Sequence, residues 1–175
     1  MFETDADFVS KVVLLGDSEV GKTSLVQRYV YNSLSTDIGR TIGAILHVKR
    51  VERRGMRHKL IIWDLGGTES LAALREQYCA NAAGAFMVFD TTRPETLAGV
   101  DRWLNALRAA AGNVPCVFVE NKIDLESKLD PHEVMRLAEK HAVRLIQTSA
   151  KENRNVDLAF TGLVDAIQEY MASRR

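Results

Sequence analysis

The chain has 175 residues, enough for one domain with its own core. Its 23 Lys plus Arg balance 23 Asp plus Glu, so the basic excess of a general nucleic-acid binder is missing. The content of 46% hydrophobic and 26% charged residues is that of a globular chain, and no apolar stretch approaches the ~20 residues that span a bilayer.

Met1-Phe2-Glu3-Thr4-Asp5 is acidic and has no apolar centre, so it does not read as a signal peptide. Phe2 also removes the glycine that N-myristoylation needs. Val9 to Leu15 is a strand-like, largely β-branched run that stops at Gly16, and Thr23 to Val30 reads as helix. Ile45 to Val51 and Lys59 to Trp63 are strand-like, with Arg53-Arg54-Gly55 as the hairpin turn between them. Ala85 to Phe89 is a short apolar strand. Thr92-Arg93-Pro94-Glu95 has capping-box spacing and predicts a helix with Leu97, Val100, Leu104 and Leu107 on one face, Trp103 packing beside them. Val114 to Val119 is a further buried strand. Asp130-Pro131-His132-Glu133 supplies an N-cap, a first-turn proline and an N3 glutamate. Leu145 to Thr148 is a last strand, and from Val156 the positions Phe160, Leu163, Ile167 and Tyr170 mark an amphipathic helix. Cys79 and Cys116 lie in apolar runs and are expected to be reduced core thiols. His47, His58, His132 and His141 lack metal-ligand spacing.

Apolar strands alternating with helices predict a mostly parallel α/β sheet covered on both faces, with ligands at the carboxyl ends of the strands. The first strand ends in Gly16-Asp17-Ser18-Glu19-Val20-Gly21-Lys22-Thr23, which is G-x-x-x-x-G-K-T between strand and helix. Such a loop, with Ser18 to Ser24, offers backbone N–H groups and a helix N-terminus to phosphates. Lys22 would reach the β- and γ-phosphates, and the Thr23 hydroxyl would ligate Mg²⁺. Trp63-Asp64-Leu65-Gly66-Gly67-Thr68 ends another strand: Asp64 is the expected magnesium acid, and Gly67 can give an N–H to a γ-phosphate. Asn121-Lys122-Ile123-Asp124, followed by Leu125, places a carboxylate that can accept both N–H donors on the edge of guanine, a pair adenine lacks. Lys122 can lay its stem along the base, and in Thr148-Ser149-Ala150-Lys151 the Ala150 N–H can meet the guanine carbonyl.

These four segments, in this order, resemble the small GTPase superfamily, and Val9 to Ala172 looks most like its Rab branch. Gly16-Asp17-Ser18, Thr41-Ile42-Gly43, Trp63-Asp64 and Tyr78 carry that likeness. The Arf branch is the nearest alternative because of Leu65-Gly66-Gly67, but Phe2 and the Thr-Ser-Ala-Lys segment argue against it. The resemblance implies a P-loop G domain over residues 1–175: a six-stranded sheet, mostly parallel, with one antiparallel edge strand and helices on both faces. It implies GTP or GDP with Mg²⁺, and Thr41 as a second magnesium threonine in the GTP state. Effectors, exchange factors and GAPs would act through the switch regions, and Rab-type GAPs can supply their own glutamine and arginine. The implied setting is cytoplasmic, peripheral on intracellular membranes. The sequence ends Met171-Ala172-Ser173-Arg174-Arg175, where Rab proteins usually continue into a prenylated tail, so a stop at the domain edge is expected.

The chain also departs from the family. Thr68 stands where a water-orienting glutamine is usual, which predicts slow unaided hydrolysis. Leu34 replaces an aromatic over the guanine ring, predicting weaker binding and faster exchange. Glu19 adds an acid near the phosphates and is expected to point to solvent, as is Arg40. Trp63 and Tyr78 match two members of an aromatic effector triad, with Leu46 as the third.

Overall fold

The computed structural model describes residues 5–35, 39, 41, 43–66 and 72–174, without the side chains of residues 72 and 73. The described elements are β1 (Phe8–Leu15), α1 (Lys22–Tyr31), β2 (Ala44–Arg53), β3 (Met56–Leu65), α2 (Ala72–Cys79), β4 (Gly84–Asp90), α3 (Pro94–Ala98), α4 (Val100–Ala111), β5 (Cys116–Asn121), α5 (Pro131–His141), β6 (Arg144–Gln147) and α6 (Val156–Ala172). Six strands form one sheet in the order β2-β3-β1-β4-β5-β6. Only β2 with β3 is antiparallel, at one edge, as the sequence predicts.

Strand periodicity divides the interior. Val12 and Leu14 of β1, with Phe86 and Val88 of β4, face α1 and α6 and meet Val26, Phe160, Leu163 and Ile167. Val13 and Leu15, with Met87 and Phe89, face the other way onto Trp103, Leu104, Leu107 and Val134. A sheet buried on both faces needs continuously apolar strands, and β4 is buried along its whole length. Cys79 lies in the second core, and burial pushes its thiol up to about 11.

The hairpin turns where expected, with Arg54 at φ 51° and Gly55 at φ 72°, the left-handed pair a two-residue hairpin requires. Asp130 caps α5 by accepting the His132 N–H at 2.9 Å. Three expectations change. The capping box at Thr92 does not form. The N-cap is Arg93, without a side-chain cap bond, because the Thr92 hydroxyl donates to Asp90 Oδ1 at 2.7 Å. The single helix expected there is two, α3 and α4, divided at Gly99. The fifth strand starts at Cys116 rather than Val114, since Val114 N–H turns back to the Gly112 carbonyl at 3.0 Å and Pro115 has no N–H to give. Sequence periodicity gave no sign of the short helix α2.

Candidate nucleotide and magnesium site

The strand order reverses at β1, which has β3 on one side and β4 on the other. A crevice therefore opens beyond the carboxyl end of β1. A cavity of about 240 Å³ lies there, lined by Ser18, Glu19, Gly21 to Ser24, Gly39, Thr41, Leu65, Gly66 and Lys122. It brings together Lys22, Thr23, Thr41 and Lys122, which the sequence scatters over a hundred positions.

The loop between β1 and α1 is held by its carbonyls. Lys22 Nζ donates to the Gly16 and Asp17 oxygens, each at 2.8 Å. Arg93 Nη1 reaches Ser18 O at 2.9 Å, and Lys122 Nζ reaches Glu19 O at 2.7 Å. Asn121 Nδ2 donates to Val20 O at 3.0 Å, and Leu25 N–H to Gly21 O at 3.0 Å. Six consecutive carbonyls thus carry protein donors, and what the loop can offer an anion is its amides together with the N-terminus of α1. Gly21 is obligatory: its φ is 100°, and a Cβ there would stand 2.3 Å from Asn121 Nδ2. Lys22 is buried, and burial brings its ammonium down to about 8 against the pull of Asp64 and Asp17. A phosphate beside it would favour the charged form further.

Three oxygens converge next to Lys22. Thr23 Oγ1 donates to Asp64 Oδ2 at 2.5 Å and lies 2.8 Å from Thr41 Oγ1. Asp64 is fully buried, and among the described residues its Oδ1 has no hydrogen-bond partner. Burial raises its pKa, opposed by the Thr23 bond and by Lys22. A buried carboxylate oxygen without a donor, beside two hydroxyls, is a donor set that fits a hard divalent cation. Gly66 N–H bonds the Gly43 carbonyl at 2.8 Å, docking the Thr41 segment against the end of β3. Gly67, Thr68 and Arg40 lie outside the described residues.

At the other end of the crevice, Ser149 Oγ donates to Asp124 Oδ1 at 2.6 Å and accepts from Glu152 N–H at 3.0 Å. Arg28 of α1 bonds the carbonyls of Ala150 and Lys151, at 2.9 and 3.1 Å, and fixes that turn. Asn121 is buried with both its amide atoms bonded: besides Nδ2 to Val20 O, its Oδ1 accepts from Thr148 Oγ1 at 3.0 Å. It is a strut between the phosphate loop and the base-side loops. Leu34 is half-buried against the first core, and Leu125 is exposed. Glu19 is exposed, at φ 65°.

Sequence reasoning missed two members. Asp90 ends β4 and is buried; burial opposes its charge, but bonds from Lys122 (2.5 Å) and Thr92 outweigh this and hold it below the usual carboxylate range. Its place at a strand end was a usable signal. Arg93 clamps Ser18 from a helix start, and nothing in its local sequence marks that role.

Leu46 and Trp63 are paired across β2 and β3, and the Trp63 and Tyr78 rings are 5.9 Å apart, so the three triad positions form one patch.

Comparison with known proteins agrees with this geometry. The Ras family pattern matches residues 11–169. The chain is 34% identical over 173 residues to Ras-related protein Rab-11A of Dictyostelium discoideum, covering 97% of this chain and 81% of that one. It is 38% identical over 176 residues to Ras-related protein Rab-25 of Bos taurus (99% and 83%) and 35% identical over 175 residues to Ras-related protein YPTC6 of Chlamydomonas reinhardtii (98% and 81%). With Lys22, Thr23, Asp64 and Asp124 gathered along one sheet edge and these relatives in hand, the chain belongs to the Ras family of small GTPases, on its Rab-like side.

Proposed function

We propose that residues 1–175 form one G domain, a switch that binds GTP or GDP with Mg²⁺, hydrolyses GTP slowly unaided and acts through effectors in vesicle trafficking. The observation that carries this reading is the Asn121 strut, which joins the phosphate loop at Val20 to the base-side loop at Thr148. One rigid piece then spans both ends of a nucleotide. Thr23, Thr41 and Asp64 would hold Mg²⁺, which when bound neutralises phosphate charge. Lys22 and the loop amides bind the phosphates, and Gly67 adds a donor for the γ-phosphate. Asp124, oriented by Ser149, and the Ala150 amide read the guanine edge, with the stems of Lys122 and Lys151 beside the ring. Leu34 contributes less to the base than an aromatic side chain, and exchange is correspondingly fast. Effectors and regulators meet the Leu46–Trp63–Tyr78 patch. Membrane contact is peripheral.

Titration of the purified protein with fluorescent GDP, GTP and ATP tests this. GDP and GTP bind at micromolar concentration or tighter, ATP does not, and Asp124→Ala weakens GDP by about a hundredfold or more, since two bonds to a charged acceptor are lost. Absence of guanine-nucleotide binding overturns the reading, and equal ATP binding overturns the role of Asp124.

A second reading, a GTP-binding module that does not hydrolyse, is favoured by one observation: Thr68 in place of the water-orienting glutamine.

A further inference from the structure

Trp103 does more than fill the second core. Its indole Nε1 donates to Asp17 Oδ1, inside the phosphate loop, at 2.8 Å. Arg102 Nη2 donates to the same oxygen at 3.0 Å. On the face of the indole lies Arg75 of α2, its guanidinium carbon 4.1 Å from the ring centre. Trp103 is 1% exposed and Arg75 8%. Glycine at residue 99, at the break between α3 and α4, leaves room for Asp17: a Cβ there would stand 3.0 Å from both carboxylate oxygens.

The stack has a physical logic. A buried guanidinium needs compensation, and an aromatic face supplies more of it away from water than at the surface. Here a cation lies on the indole face and a carboxylate on its N–H edge, with the Arg102 guanidinium, 5.9 Å from the ring centre, sharing that carboxylate. Asp17 is covalently next to Gly16 and Ser18, whose carbonyls Lys22 and Arg93 hold. Arg75, for its part, is in the helix that follows residues 67–71, the segment after Asp64. A displacement of α2 that lifts Arg75 from the ring therefore takes the cation off the indole face and loosens the Asp17 anchor at its edge.

We propose that Arg75 and Trp103 are positioning residues that couple α2 to the phosphate loop through Asp17, so that α2 in its docked position slows nucleotide release. This rests on the nucleotide-binding reading above. Because coupling is reciprocal, bound nucleotide also holds α2 on Trp103.

The test follows release of fluorescent GDP, in Mg²⁺, from wild type, Arg75→Ala, Arg75→Lys, Trp103→Phe and the Arg75→Ala/Trp103→Phe pair. Arg75→Ala speeds release about three- to tenfold, the range of a desolvated cation–π contact. Arg75→Lys recovers part of the loss, because an ammonium can occupy the ring face. Trp103→Phe keeps a ring but has no N–H for Asp17, so in that background Arg75→Ala changes release by less than about twofold. A purely structural role lowers the thermal midpoint without this pattern. Hydrogen exchange of the amides of residues 17–21, measured without nucleotide in wild type and Arg75→Ala, reads the same coupling and needs no core variant; exchange rises in Arg75→Ala. Unchanged release and exchange in Arg75→Ala, or single effects that simply add in the pair, overturn the proposal. If wild type holds no GDP, the nucleotide reading falls, and the exchange arm still decides the coupling.

Discussion

At the scale of single residues, the site is held by close contacts. Gly21 is the sharpest case: an added methyl meets Asn121 Nδ2 at 2.3 Å, on a backbone with φ 100°. Gly21→Ala is expected to destabilise the protein by about 2–3 kcal/mol, read as a lower denaturant midpoint, and to weaken nucleotide binding in parallel. Thr68 offers the opposite experiment. If its short side chain leaves the attacking water unoriented, Thr68→Gln raises single-turnover GTP hydrolysis by about ten- to a hundredfold and leaves GDP affinity unchanged. Equally fast turnover in wild type and variant would remove Thr68 from the account of slow hydrolysis. The residues of the phosphate loop, Asp64 and Asp124 were legible as candidates because each belongs to a local motif at or after a strand end. Asn121 was legible as a member of the motif but not as a strut, because its partners Val20 and Thr148 are distant in sequence.

At the scale of elements, the strands were readable because burial on both faces leaves continuous apolar runs, and α5 because its cap and proline sit together. The capping box at Thr92 failed for a reason outside the helix: a buried carboxylate, Asp90, claims the Thr92 hydroxyl. The division at Gly99 was hidden as well, since the glycine serves the approach of Asp17 rather than helix geometry alone. One element contact gives a pH test. Asp165 of α6 accepts two bonds from Arg53 at the end of β2, at 2.7 and 2.8 Å, and this bonding holds its carboxyl below the ordinary 3.8 despite partial burial. A depressed carboxylate pKa stabilises the fold fully above the unfolded value and loses that contribution as pH falls through the folded one. Asp165→Asn is therefore expected to cost about 0.5–1 kcal/mol at neutral pH, discounted because Arg53 stays solvated, and the difference from wild type vanishes once the pH is below both values. Urea midpoints at neutral pH and in acid measure both.

At the scale of the whole molecule, nucleotide binding and folding are linked. The phosphate loop holds a buried cation and the metal corner a buried carboxylate oxygen without a donor, so the ligand-free protein bears the desolvation of both. At GDP a thousandfold above its dissociation constant, binding adds about 4 kcal/mol, which moves the thermal midpoint up by about 10 °C. Removing Mg²⁺ with a chelator cuts much of that shift, and calorimetry with GDP, with GDP and chelator, and with neither checks it. The sequence by itself determined the parallel α/β order, the antiparallel edge hairpin and the candidate motifs at the phosphate loop, Asp64 and Asn121-Lys122-Ile123-Asp124, because periodicity and motif spacing are properties of neighbouring residues. Only the tertiary structure decided which side chains close the phosphate loop from outside. Arg93, Lys122 and Trp103 reach it across 75, 103 and 86 positions of chain, and contacts over such separations are set by how β4, β5 and α4 pack beside β1, not by any pattern within them.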